Sequence, residues 1–121
     1  MIAARLYPLS RQVERNWVHD QGTASAGALY PDEGSAYSTW DSNVVTAIGA
    51  SKWLHLWTSS IHNVTVSRNF ADTPVQLNLG TNCPMVNNTV FAPGAPPPAA
   101  KAIMEAAGVS PARNKWARLV R

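Results

Sequence analysis

The chain alternates short apolar runs with polar bends, and one pattern recurs along it. An apolar residue is followed by two mostly polar ones, an Asn, one further residue, and then an apolar or small residue. It reads Val13-Glu14-Arg15-Asn16-Trp17-Val18, then Trp40-Asp41-Ser42-Asn43-Val44-Val45, then Val66-Ser67-Arg68-Asn69-Phe70-Ala71, then Met85-Val86-Asn87-Asn88-Thr89-Val90. The asparagines are separated by 27, 26 and 19 residues. Repeats at such intervals are the mark of solenoids, whose units bury a core only by stacking on one another. A tight bend needs a residue that tolerates the left-handed backbone region, as Asn does. Stacked asparagines can also hydrogen-bond from one coil to the next. The competing reading is a set of unrelated turn asparagines in an ordinary β-sandwich, and the near-regular spacing favours the solenoid. The pattern therefore predicts that Asn16, Asn43, Asn69 and Asn88 stack along one edge, with Val18, Val45 and Val90 turned inward.

Between the repeats, Trp53-Leu54-His55-Leu56-Trp57 is bulky enough for a strand, with its core face at 53, 55 and 57 or at 54 and 56. Val64-Thr65-Val66 is a short alternating strand. Gly22 to Gly34, Asp72-Thr73-Pro74 and Gly80-Thr81-Asn82 carry bend chemistry. The one predicted helix runs from about Pro98 to Ala107. Proline suits its first turn and Gly108 its left-handed exit. Ala99, Ala102, Ile103 and Ala106 share a face, which predicts a cap over an open end of the stack. The fold class expected is all-β, a right-handed parallel β-helix of a few coils with a short C-terminal capping α-helix. The divisions expected are coils over 1–95, the capping helix over 96–109 and a basic tail over 110–121.

The 121 residues suffice for one domain, and only 14% are charged, against about 25% in a typical protein. The formal net charge of +3 resides in the tail, where Arg113, Lys115, Arg118 and Arg121 follow the last acid, Glu105. A nucleic-acid surface needs basic residues over the body of the fold, so that partner is not expected. Cys83 is the only cysteine, which excludes a disulfide framework and a cysteine metal site and makes it a small apolar residue. No run is long and apolar enough to cross a membrane. Met1 to Pro8 lack a secretory leader. No phosphate loop or nucleophile elbow is present, and no cofactor or metal is expected.

The order of segments resembles a family. Ala28-Leu29-Tyr30-Pro31-Asp32-Glu33-Gly34-Ser35, an Asn-bearing coil, Lys52-Trp53-Leu54-His55-Leu56-Trp57-Thr58-Ser59-Ser60-Ile61-His62-Asn63, a second such coil, Asn88-Thr89-Val90 and the helix are similar to the C-terminal part of secreted right-handed β-helix proteins of the pectate-lyase-like superfamily, many of them glycoside hydrolases. The resemblance spans about residues 12 to 112, and Tyr-Pro-Asp-Glu-Gly and Trp-Leu-His-Leu-Trp are its specific parts. It implies an extracellular setting and a polysaccharide or oligosaccharide partner. Members are several times longer, so it also implies that this chain is a C-terminal fragment resting on the N-terminal coils of a longer parent. The function expected is part of a polysaccharide-active glycoside hydrolase, with a non-catalytic glycan-contacting or structural module as the alternative.

Cleaving a glycan on such a scaffold needs acids along a groove and aromatic faces for sugar rings. Asp32 and Glu33 lie in a Pro- and Gly-flanked bend, where functional loops are found. Neighbours in an extended chain point to opposite faces, so a working pair must come from different coils, for instance Asp32 with Asp20, at the stacking distance of about 5 Å that a retaining pair requires. The candidate catalytic residues are thus Asp32, Glu33 and Asp20. The candidate substrate contacts are Tyr30, His55 and Trp57, with Trp53 a further platform. Trp17 and Trp40 belong to the core repeat. The competing reading has Asp32 and Glu33 satisfying bend amides or pairing with Arg68 or Lys52. His19 beside Asp20 lacks the ligand spacing of a zinc site.

Overall fold

The structure, a computed structural model, describes residues 11–22 and 26–108. Met1 to Leu9 and the basic tail from 110 lie outside these residues. Among the described residues ten short strands and one helix follow in order: β1 Arg11–Glu14, β2 Trp17–His19, β3 Ala36–Asp41, β4 Val44–Thr46, β5 Leu54–Leu56, β6 His62–Ser67, β7 Phe70–Ala71, β8 Gln76–Asn78, β9 Met85–Val86, β10 Thr89–Val90 and α1 Pro98–Ala106. The strands form three sheets, with orders β1-β3-β6-β9, β10-β7-β4-β2 and β5-β8. Every strand pairing is parallel. From β3 on, the chain visits the first, second and third sheets in turn and returns, so each pass lies against the one before. The class is all-β with one helix.

Alternation along each strand sorts the side chains. In β6, Val64 and Val66 are fully buried while Thr65 between them is half-exposed. In β5 the ambiguous pattern resolves with Leu54 and Leu56 inward, His55 half-buried and Trp57 exposed. These join Leu29, Val45, Ile48, Trp53, Ile61 and Ala71 in one core, with Trp40, Met85 and Cys83 packed at its edge. Each fully buried aliphatic side chain contributes about 1.5–3 kcal/mol. Trp17 departs from expectation. It is outward, its indole N–H donates to Thr46 Oγ1 at 2.9 Å, and its ring lies 4.1 Å from that of His19. The period of two sends Val18 into the stack and therefore Trp17 out of it.

The four asparagines form a continuous ladder. At each step the N–H and Nδ2–H of the earlier Asn both donate to Oδ1 of the later one: Asn16 to Asn43 at 3.1 and 3.0 Å, Asn43 to Asn69 at 2.9 and 3.0 Å, Asn69 to Asn88 at 3.0 and 3.0 Å. The later Asn also donates Nδ2–H to a carbonyl above it, that of Val13, Trp40 or Val66. Asn43 and Asn69 are buried, so this complete pairing is what makes them tolerable in the interior. The left-handed bend residue is not the Asn, as the sequence suggested, but the one before it: Arg15, Ser42, Arg68 and Asn87 have φ of 57, 57, 52 and 57°. An Asn whose side chain is committed to the ladder cannot also be the kink, so its predecessor turns the corner.

The inward column Val18, Val45, Ala71 and Val90 is in register. Val45 is buried, but Val90 is 51% exposed because it lies on the last pass. The pass before it places Gln76 and Asn78 opposite Leu54 and Leu56, so polar side chains close the third sheet. The helix does not cap this end. It packs against β4. Val44 of β4 and Ala100 of α1 are both fully buried, yet both lie outside the core inside the stack. Val45 faces inward, so Val44 faces the flank, where an alanine-rich helix can approach closely. Gly108, with φ of 91°, takes the left-handed position expected after the helix.

Candidate functional site

The candidate residues come from two consecutive passes. Leu29 bridges Leu54, and the stretch before it runs beside Lys52 to His55: Ala28 N–H donates to the Lys52 carbonyl at 2.8 Å, Leu29 N–H to that of Trp53 at 3.0 Å, and His55 N–H to that of Leu29 at 2.9 Å. This parallel run sets Tyr30 beside His55, with rings stacked at 4.9 Å.

The acidic bend then closes as a turn. Ser35 N–H donates to the Asp32 carbonyl at 3.0 Å, and Gly34 has φ of 78°, a left-handed value suited to glycine in the third turn position. Gly34 N–H also donates to Ser60 Oγ at 3.1 Å, which ties the turn to the next pass. Asp32 Oδ1 accepts the Glu33 N–H at 2.7 Å and the Trp57 indole N–H at 3.4 Å. Tyr30, Asp32, His55 and Trp57 thus occupy one surface ledge. Tyr30 and Trp57 each keep 38% of their surface exposed. Glu33 is exposed, and among the described residues its carboxylate has no partner.

The other candidates lie elsewhere. Asp20 follows β2 in the second sheet's pass and pairs with His19 Nδ1 at 2.7 Å, and among the described residues no bond joins it to Asp32. Trp53 is 2% exposed and belongs to the core, so it offers no platform. Arg68 is engaged by Asp41. Its Nε and Nη2 donate to the two carboxylate oxygens at 2.8 and 2.9 Å, while Ser67 and Ser42 hydroxyls donate at 2.8 and 2.9 Å. The Arg68 hydrogen bond holds the Asp41 carboxyl below its ordinary range.

One residue was not foreseen. Gly27 N–H donates to His55 Nδ1 at 3.1 Å, which makes Nδ1 an acceptor and leaves Nε2 to carry the proton outward. A Cβ at Gly27 would overlap His55 Cβ, so the glycine is required for this approach. Burial, and then the charge of Lys52, push the His55 pKa below its usual value, so the ring is neutral at pH 7. The signal was present in the glycine-rich stretch, but nothing local to it pointed to a partner 28 residues away.

Chemically, the ledge offers two aromatic faces, a neutral imidazole donor and one carboxylate acceptor. Among the described residues no group of three His, Cys, Asp or Glu side chains could hold a metal ion, and no helix is long and apolar enough to cross a membrane. Compared with protein-family models, curated proteins and solved structures, the chain matches none.

Proposed function

We propose that the stacked passes are coils of a right-handed parallel β-helix and that the ledge on their flank contacts a polysaccharide or oligosaccharide outside the cell. The right hand follows from the general preference of parallel crossover connections. The observation that carries the functional reading is the ledge itself, where Tyr30 stacks on His55 and Trp57 reaches Asp32 across two passes. Aromatic faces accept the C–H faces of sugar rings, while a fixed carboxylate and an imidazole N–H meet hydroxyl groups.

This reading supports a glycan-contacting module ahead of a hydrolase. A glycosidase needs two carboxyl groups about 5–10 Å apart across the scissile bond, and Asp20, the intended partner of Asp32, is held by His19 on another sheet. The test is titration of the full chain with neutral and uronic-acid oligosaccharides, followed by Trp fluorescence. Trp57→Ala and Tyr30→Ala are expected to abolish binding while preserving the circular dichroism spectrum. Wild-type affinity in both variants would remove the ledge from function. Turnover of any of these glycans, lost in Asp32→Asn or Glu33→Gln, would reinstate the hydrolase.

A further inference from the structure

The asparagine ladder has direction, and its two ends differ. At every internal step the earlier Asn gives two donors to the later Oδ1. The N–H of the residue after the later Asn returns to the earlier Asn's carbonyl: Val44 to Asn16, Phe70 to Asn43, Thr89 to Asn69, each at 2.8 Å. At the first pass, Asn16 Oδ1 meets no donor among the described residues, and its Nδ2, with no carbonyl above, turns back on Glu14 at 3.1 Å. At the last pass, Asn88 gives Nδ2–H to the Val66 carbonyl at 3.0 Å, and its N–H and second Nδ2–H meet no acceptor among the described residues. One end therefore presents the acceptor that the other end's donors require.

The faces around these ends match in the same register. β1 and β2 are outer strands of the first and second sheets on one face, and β9 and β10 on the other. Among the described residues these edges are unpaired, and unpaired parallel edges are templates for a further strand. Val90 and Val86, 51% and 46% exposed, stand on the last pass, in register with Ala71 and Ser67. Half-buried Val13 and Val18 stand on the first.

We propose that the chain associates head to tail with a second copy of itself, the last pass of one copy stacking on the first pass of the next. Asn88 N–H and Nδ2–H donate to Asn16 Oδ1 of the second copy, whose Asn16 Nδ2 leaves Glu14 for the Met85 carbonyl. Val90 covers Val18, and Met85 covers Val13. The contact is heterologous, so it leaves a free face at each end and the assembly grows beyond a dimer.

The experiment is sedimentation of the full chain over a wide range of concentration. Val90→Lys blocks one face and Val18→Lys the other, with Val13→Lys used in its place if Val18→Lys lowers the thermal midpoint. The wild type is expected to form a concentration-dependent series of species larger than a dimer. Each variant alone is expected to remain a monomer, and an equimolar mixture of the two to stop at a dimer, since one open face of each kind remains. A wild type that stays monomeric throughout overturns the proposal and assigns the faces to other cover, such as the chain's own terminal segments or coils of a longer chain. A closed wild-type dimer that the mixture fails to restore overturns it equally.

Discussion

Replacing Asn69 by Leu tests whether the ladder or the apolar core dominates stability. Asn69 is 1% exposed and its side chain joins both neighbouring passes. The substitution keeps the volume apolar but removes the acceptor for Asn43 N–H and Nδ2–H and the donor to the Trp40 carbonyl. Asn43 is itself fully buried, so water cannot replace the lost partners. Each buried group left unpaired costs about 1–3 kcal/mol, and the Asn43 N–H and Nδ2–H are two such groups. A loss of about 2–6 kcal/mol follows, a large part of the 5–15 kcal/mol typical of a folded domain. Asn16→Ala is the internal control. Asn16 is exposed, water can reach its former partners, and the cost should fall to about 1 kcal/mol or less. Urea unfolding followed by circular dichroism measures both. Equal costs at the two positions, or less than about 1 kcal/mol for Asn69→Leu, would refute the reasoning and leave the apolar core as the source of order.

Arg15→Gly should stabilise by about 0.5–1 kcal/mol by relieving the left-handed backbone, as measured by urea midpoint, whereas Ser42→Gly should gain less because its hydroxyl serves Asp41. Ala100→Asp should cost about 3 kcal/mol by burying a charge between α1 and Val44, and an unchanged thermal midpoint would mean that the helix is not docked. Gly27→Ala should displace His55 and raise its titration midpoint toward 6.5, read by NMR; an unmoved midpoint would show that the Gly27 contact does not set it. Asp41 has a lowered folded-state pKa, so its contribution is fully present above the ordinary carboxylate value and is lost as pH falls through the folded one. Arg68→Ala should therefore flatten the acid limb of a plot of urea midpoint against pH, and an unchanged slope there would show that the pair does not contribute.

The repeat was legible because its physics is local: an Asn between apolar residues reports its own place on a bend, and four copies report one another. The ledge was legible for a related reason, since a one-pass offset relates Tyr30 to His55 and Asp32 to Trp57. Besides Gly27 and the outward Trp17, three features were not legible. The kink sits on the residue before Asn because the amide is engaged by other passes, which no single window reveals. The helix covers Val44 on the flank because strand alternation leaves an apolar residue outside, and a helical pattern alone does not say which apolar surface it meets. Asp20 seemed within reach of Asp32 by counting coils, but sheet assignment, not coil number, decides which acids meet.

The spacing between ladder residues varies from 27 to 19 while the bonds at each step do not. The shorter last pass loses its residues from the connections around the third sheet, and the Asn positions keep their register. Length is therefore a free variable along most of each circuit and a rigid one only near the Asn, which acts as a phase marker. Insertions at the exposed Gly49-Ala50 or Ser59-Ser60 should change the outline of the surface without moving a core residue. A single residue inserted between Trp40 and Asn43, by contrast, would put every downstream side chain of that strand on the wrong face. Such a chain can diversify its flank, where the ledge lies, independently of the column that keeps it folded.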